Sequence, residues 1–166
     1  HLQRVGRDAA QRDMPSNEQL HAEAIFNRAR TRDRNDTAAK LADYDEVLRP
    51  NPLHLSARFD RARARLRSGD SPGALADYDE VLCQNPRFYR AFNNRAELHF
   101  VNGAYETALA DYDAALELHP TYTMALTGRA ITLHVLARRE EAFGLWGRLL
   151  EQDAGYGSAQ WVGRQF

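Results

Sequence analysis

The 166-residue chain has little of three things that often reveal function: cysteine, lysine and net charge. Cys83 is its single cysteine, which excludes an internal disulfide and a multi-cysteine metal site. The formal net charge of −1 excludes a global positive field of the kind that attracts nucleic acid. No apolar run approaches the roughly 18–20 residues of a membrane helix. We therefore expect neither nucleic-acid binding nor membrane insertion.

Arginine supplies nearly all of the positive charge, because Lys40 is the only lysine. This preference is typical of a GC-rich genome and indicates a bacterial source. No secretory leader is recognisable, although the first residue is His1 rather than methionine. The sequence is that of a soluble protein and leaves its compartment open, as cytoplasmic or, if the chain is exported, periplasmic.

One eight-residue segment recurs at intervals of 34 residues: LADYDEVL at 41–48 and 75–82, and LADYDAAL at 109–116. In the second copy Leu75, Tyr78 and Leu82 fall at i, i+3 and i+7, which is the spacing of an apolar stripe on a helix. A proline follows each copy at the same phase, so each helix must end there. The segment is therefore a helix that is built three times.

A second helical stretch precedes the later copies, at 55–67 and 89–101, and contains neither proline nor glycine. Gly69 and Gly103 follow these stretches and suit the left-handed conformation that ends a helix. After Gly69, Ser71 suits an N-cap, with Pro72 at the first helical position. The sequence predicts a helix–turn–helix unit of 34 residues.

A 34-residue helical hairpin with these residue types in phase resembles the tetratricopeptide repeat (TPR). The small residue of the first helix is Ala62, Ala96 or Ala130, and that of the second helix is Ala74, Ala108 or Ala142. The aromatic residue is Tyr78, Tyr112 or Trp146, and the closing proline is Pro86 or Pro120. The resemblance implies an all-α fold, a right-handed superhelix of stacked hairpins with a C-terminal capping helix.

The resemblance covers residues 18–154 as four repeats, at about 18–52, 53–86, 87–120 and 121–154. Residues 1–17 then form a lead-in that is either a short helix or disordered, and residues 155–166 form the capping helix. The first repeat is less regular, with a one-residue deletion expected between Asp33 and Thr37. Ser16 to Gln19 reads as a capping box that opens the first helix.

The repeated Asp-Tyr-Asp is not a metal or acid–base pair, since side chains at i and i+2 on a helix point roughly 200° apart. The tyrosine is instead expected to pack between hairpins. An arginine stands directly before the small alanine of each first helix: Arg28, Arg61, Arg95 and Arg129. We expect the first three to pair with Asp43, Asp77 and Asp111, whereas Leu145 deprives Arg129 of a partner in its own hairpin.

The TPR resemblance implies that a peptide or partner helix binds in a concave groove lined by the first helices. Amides there could bond a peptide backbone, arginines could bind carboxylates, and Phe59 and Phe100 would be exposed anchors. The groove residues are expected to be Asn27, Phe59, Asp60, Arg63, Arg90, Asn93, Asn94, Glu97, Phe100, Thr127 and Ile131.

One TPR subclass clamps the C-terminal carboxylate of heat-shock chaperones with basic and asparagine side chains on three successive repeats. Neither window of three repeats in this chain completes that set, and Asp60 would repel a carboxylate. The sequence therefore argues against a receptor for chaperone tails.

No phosphate-binding loop, nucleophile motif or paired carboxylates are present, so we expect neither catalysis nor a cofactor nor a metal. The sequence predicts a protein-interaction scaffold with a protein or peptide ligand of unknown identity. Two alternatives remain open. The repeats could self-assemble into a homo-oligomer, or they could recruit substrates as one module of a larger enzyme or signalling protein.

Overall fold

The computed structural model describes residues 16–152, and in that range the chain forms eight α-helices and no strand. The helices are α1 (Asn17–Thr31), α2 (Thr37–Leu48), α3 (Leu55–Arg67), α4 (Ser71–Gln84), α5 (Tyr89–Val101), α6 (Tyr105–Leu118), α7 (Thr123–Val135) and α8 (Arg139–Gln152). The all-α fold of TPR-type helical repeats is thus confirmed. The chain divides into two compact units between Asp77 and Tyr78, within α4.

The capping box predicted at the start of α1 is present. The Ser16 hydroxyl accepts a hydrogen bond from the Gln19 amide at 3.2 Å, and the Ser16 amide donates to Gln19 Oε1 at 2.8 Å. The predicted lead-in over residues 1–15 and the predicted capping helix over 155–166 lie outside the described residues. Within residues 16–152, no helix combines the length and the apolar character needed to cross a membrane.

Three short turns between paired helices share one left-handed residue. Gly69 and Gly103 have φ values of 85° and 77°, as predicted, and Ala137 takes φ 58° at the matching place. The sequence prediction of an N-cap at Ser71 is wrong by one residue. The carboxylate of Asp70 accepts the amide of Gly73 at 2.9 Å, so Asp70 is the residue that caps α4.

The first hairpin differs from the others in its turn. Its connection spans residues 32–36, whereas the later hairpins turn in three residues, as in 68–70. α1 ends two residues after Ala29, but α3 continues five residues beyond the matching Ala62. The deletion predicted within the turn is therefore wrong: the turn is longer than in the later hairpins, and the early end of α1 produces the irregular spacing.

The repeated tyrosine is a packing residue, as predicted. Tyr44, Tyr78 and Tyr112 are 4%, 0% and 3% exposed, and the small alanines of the first helices are fully buried. Close approach is tightest in the second unit, where a Cβ added to Gly128 of α7 would overlap the ring of Tyr112 on α6. Because Gly128 has no side chain, α7 of the fourth hairpin can pack directly against the Tyr112 ring.

The predicted arginine–aspartate pairs are present in the first unit. Asp77 is 2% exposed and accepts two hydrogen bonds from Arg61, at 2.9 and 2.6 Å. Arg65, one helical turn further along α3, adds a third at 2.8 Å. Arg61 also donates to Asp45 on α2 at 2.7 Å, and its pKa is raised chiefly by the bond to Asp77. One guanidinium thus joins two consecutive hairpins.

The same arrangement recurs on either side of this cluster. In the first hairpin, hydrogen bonds from Arg32 and then Arg28 hold the pKa of buried Asp43 below its usual range. In the second unit, Arg95 donates to Asp111 at 2.8 and 2.7 Å. Arg95 also donates to Asp79 at 2.7 Å. The first aspartate of each motif pairs within its hairpin, and the second pairs with the next first helix.

Arg129 departs from this pattern as the sequence indicated. Leu145 is 6% exposed and occupies the place of the in-hairpin aspartate, so Arg129 keeps only its link to Asp113 of the preceding hairpin, made through Nε. Leu133 stands where Arg65 and His99 stand in earlier hairpins. An apolar pair has replaced the base–acid pair.

We expect Asp77→Ala to lower the free energy of unfolding by about 3–5 kcal/mol, because it leaves Arg61 and Arg65 without their buried carboxylate. Asp45→Ala is the matched control, since it removes the other, 54% exposed, carboxylate of the same arginine. The control should cost about 0–1 kcal/mol. Chemical denaturation of both variants checks this, and equal losses would show that burial is not the deciding factor.

We expect Gly128→Ala to destabilise the protein by about 1–3 kcal/mol, because the new Cβ forces the Tyr112 ring out of its site. Gly144, on α8, has open space around its Cα. Gly144→Ala should therefore stabilise the protein by up to about 1 kcal/mol through helix propensity alone. Thermal unfolding gives both values, and a stabilising Gly128→Ala would refute the close approach.

Candidate functional site

The predicted groove residues of the first unit lie on α1 and α3, where a cationic patch consists of Arg30, Asp60, Arg63 and Arg67. Asp60 lies 3.4 Å from Arg63 NH1 and 4.0 Å from Arg30 Nε. The carboxylate that the sequence analysis expected to repel acidic ligands is thus flanked by two arginines. Arg30, Arg63 and Arg67 are exposed, so the patch has a positive balance.

Tyr44 lies beneath this cationic patch. Burial, with a smaller contribution from Asp60, raises its pKa to about 12, and Arg63 and Arg30 oppose the shift. Asn27 is exposed on α1, as the groove prediction requires. Phe59 is only 9% exposed, so the expectation of an exposed anchor there is wrong. The Phe59 ring lies on the buried side of α3.

The predicted amides of the second unit form a polar network on α5. Asn93 is 0% exposed; its Nδ2 donates to Glu97 Oε1 at 2.8 Å and to Asn94 Oδ1 at 3.3 Å. Asn94 in turn donates to the hydroxyl of Tyr78 at 3.2 Å. These amides position α5 side chains, and Asn93 is too deeply buried to meet a ligand directly.

Two other predicted residues of α5 have contrasting environments. Arg90 is exposed, and its Nε donates to the Tyr89 hydroxyl at 3.2 Å, which raises the pKa of the guanidinium. Phe100 is half-buried and meets the Tyr105 ring edge-on, with 5.3 Å between centroids. The expected exposure of Phe100 is therefore wrong, whereas Arg90 remains open to a ligand.

α7 presents an apolar stripe that consists of Met124, Ile131 and Val135. These side chains are 55%, 44% and 46% exposed, and their spacing of seven and four residues keeps them on one helix face. Thr127 is exposed beside the stripe. The sequence analysis singled out Ile131 and Thr127. Val135, one turn after Ile131, was missed although the same periodicity contains it.

The exposed residues of the first helices offer groups that suit binding. Among the described residues, no cluster of three or more histidine, cysteine or acidic side chains could hold a metal. What the first helices do present is guanidinium groups for carboxylates, the Glu97 carboxylate, and an apolar strip.

Loss of hydration raises the pKa of Glu97, and the hydrogen bond from Asn93 only partly offsets this. A carboxyl group with a raised folded-state pKa favours folding when protonated, and that contribution is lost as the pH rises through the folded-state pKa. We therefore expect Glu97→Gln, which keeps the oxygen that Asn93 bonds, to raise Tm at neutral pH. The gain should shrink near pH 4, about the usual glutamate pKa. Differential scanning calorimetry at both pH values checks this, and a gain independent of pH would contradict it.

Comparison with known structures shows the same fold in several repeat proteins. The crystal structure of MamA matches over 92% of this chain and 86% of its own, with 14% identity and a TM-score of 0.75. A tetratricopeptide repeat protein from Parabacteroides merdae shares 25% identity over 87% of this chain and 57% of its own, with a TM-score of 0.73. The first TPR of Spaghetti (RPAP3), bound to the HSP90 peptide SRMEEVD, covers 70% of this chain and 93% of its own at 20% identity, with a TM-score of 0.67.

Comparison with curated protein sequences found no match. The tetratricopeptide repeat family model matches residues 24–84 and again 59–123, which together make up more than half of the chain. The match spans helices α1 to α6, and the paired helices, the 34-residue period and the buried tyrosines agree with it. The chain belongs to the tetratricopeptide repeat family.

Proposed function

We propose that the chain is a non-catalytic protein-interaction module that binds an extended peptide or a partner helix on the exposed faces of its first helices. The observation that carries this proposal is the apolar stripe of α7. Met124, Ile131 and Val135 lie side by side in solvent, although the same helix has already buried Leu126 and Leu133 in the core. An exposed apolar strip of this kind is typical of a binding surface.

The cationic patch adds a second preference. The patch has three exposed arginines, Arg30, Arg63 and Arg67, and one acidic residue, Asp60. Exposed guanidinium groups bind carboxylates through paired hydrogen bonds. An acidic segment suits the cationic patch on α1 and α3, and an apolar segment suits the stripe on α7. The Spaghetti repeat is bound to a peptide that mixes acidic and apolar residues, which supports this class of ligand.

The structure narrows the residues proposed for contact. Asn93, Phe59 and Phe100 are engaged in packing, and we assign them to the support of the surface. The proposed contact residues are Asn27, Arg63, Arg67, Arg90, Glu97, Met124, Thr127, Ile131 and Val135.

Head-to-tail self-association has weaker support. In successive hairpins the second aspartate of the motif receives the arginine of the next first helix, as Asp79 receives Arg95. The matching position in α8 is Gly147, so the Arg28 of a second copy stacked on α8 would find no carboxylate there. Recruitment within a larger protein is compatible with the proposed peptide-binding role.

We expect random-peptide phage display on the wild-type protein to select peptides that combine acidic and apolar residues. Ile131→Glu should weaken the binding of these peptides at least about tenfold, because it places a charge in the apolar contact. Ala110→Glu is the matched control, since it adds the same charge to an exposed site on α6, a second helix. Fluorescence anisotropy measures both. Selected peptides that bind the Ile131 variant as tightly as the control would refute the assignment.

A further inference from the structure

A pocket between the third and fourth hairpins is not used by the proposed peptide surface. It has a volume of about 430 Å³, opens to solvent, and lies between α6, α7 and α8. Its lining residues are Asp113, Leu116, Glu117, Pro120, Leu126, Arg129, Leu145 and Arg148. None of the exposed α7 residues in the apolar stripe contributes to it. The pocket is therefore a separate site.

Different side chains surround the matching arginine of the third hairpin, Arg95. There the guanidinium of Arg95 lies over the ring of Phe92, 5.6 Å from its centroid, and binds Asp111 and Asp79. Leu126 stands in place of Phe92, and Leu145 in place of Asp111. One substitution replaces an aromatic ring by a smaller side chain, and the other removes a carboxylate. Together they account for an opening beside Arg129.

Arg129 is left with unused hydrogen-bonding capacity. It reaches Asp113 through Nε, and its two terminal nitrogens have no acceptor among the side chains that the structure describes, those of residues 16–150. Arg148 contributes a second guanidinium to the pocket and has no hydrogen-bonded or ionic partner among the same side chains. Arg95, by contrast, has every nitrogen of its guanidinium bonded to a carboxylate.

We propose that this pocket binds an acidic side chain of a protein partner, whose carboxylate would pair with Arg129 as that of Asp111 pairs with Arg95. The terminal nitrogens of Arg129 and the guanidinium of Arg148 would hold the carboxylate, and Leu116, Leu126 and Leu145 would pack against its methylene groups. A glutamate side chain, with a carboxylate beyond two methylene groups, suits this mixed lining of arginines and leucines.

The free hydrogen-bond donors of the pocket suit a carboxylate. The lining holds two acidic residues, Asp113 and Glu117, and two arginines, so its formal charge is balanced. Asp113 is already bonded to Arg129, and the donors left for a ligand are the terminal nitrogens of Arg129 and the guanidinium of Arg148. A protein carboxylate is the favoured source, because the chain itself fills the equivalent place beside Arg61 and Arg95 with an aspartate from a packed helix. The pocket would therefore give a protein partner a second contact, separate from the one on the first helices.

The probes for the test are two blocked dipeptides, acetyl-Glu-Leu-amide and acetyl-Gln-Leu-amide, and free glutarate. The readout is the chemical shift of the arginine Nε–H signals of the full chain by NMR. We expect the Glu dipeptide to shift the Arg129 and Arg148 signals saturably and the Gln dipeptide to leave them unchanged. Glutarate that binds as tightly as the Glu dipeptide would overturn the protein source, and the absence of any shift would overturn the site.

Arg148→Gln should lower the affinity for the Glu dipeptide about tenfold, because it removes one charged donor. Arg148 is exposed and has no partner among the described residues, so this variant is expected to fold normally. Arg139→Gln, at the exposed start of α8, removes the same charge outside the pocket and should leave the affinity unchanged. Equal affinities of these two variants would overturn the proposal. Normal binding of the selected peptides by Arg148→Gln would show that the pocket and the first-helix surface are independent.

Discussion

A carboxylate withdrawn from water must be met by charged donors, and this requirement organises the hairpins. Asp43, Asp77 and Asp111 are 3%, 2% and 6% exposed, and each is bonded to an arginine of its own first helix. Such a pair is weak evidence of net stability, because desolvation consumes most of the attraction between its members. It does fix how the two helices lie against one another, since a shifted register would bury an unpaired charge.

The spacing of the motif extends this constraint to the neighbouring hairpin. Side chains two residues apart leave a helix in nearly opposite directions, so Asp45 and Asp79 point away from their own first helix. Each meets the arginine of the following one, Arg61 or Arg95, at 2.7 Å. The spacing that makes Asp-Tyr-Asp unsuitable as a chelating pair is what lets it serve two hairpins, with the tyrosine packed between.

The periodic features were predictable from the sequence because they depend on local chemistry. Helix phase, the left-handed turns and the arginine–aspartate pairs recur at intervals of 34 residues, or 33 between Arg28 and Arg61, so the copies can be compared with one another. Side-chain exposure on the first helices was less predictable. Whether Phe59 or Ile131 faces solvent depends on how each helix is rotated against its neighbours, which tertiary packing sets. The second base of each cluster, as in Arg65 and Arg32, was overlooked although its i+4 spacing from Arg61 and Arg28 was visible.

Ala137 places a left-handed residue with a side chain in the turn of the last hairpin. A residue with a Cβ at φ 58° costs roughly 1 kcal/mol or more relative to glycine, and the turns at Gly69 and Gly103 avoid that cost. This turn joins α7 to α8, and α8 supplies Leu145 and Arg148 to the pocket. The helix that forms one wall of the pocket is therefore attached through a turn that carries local backbone strain.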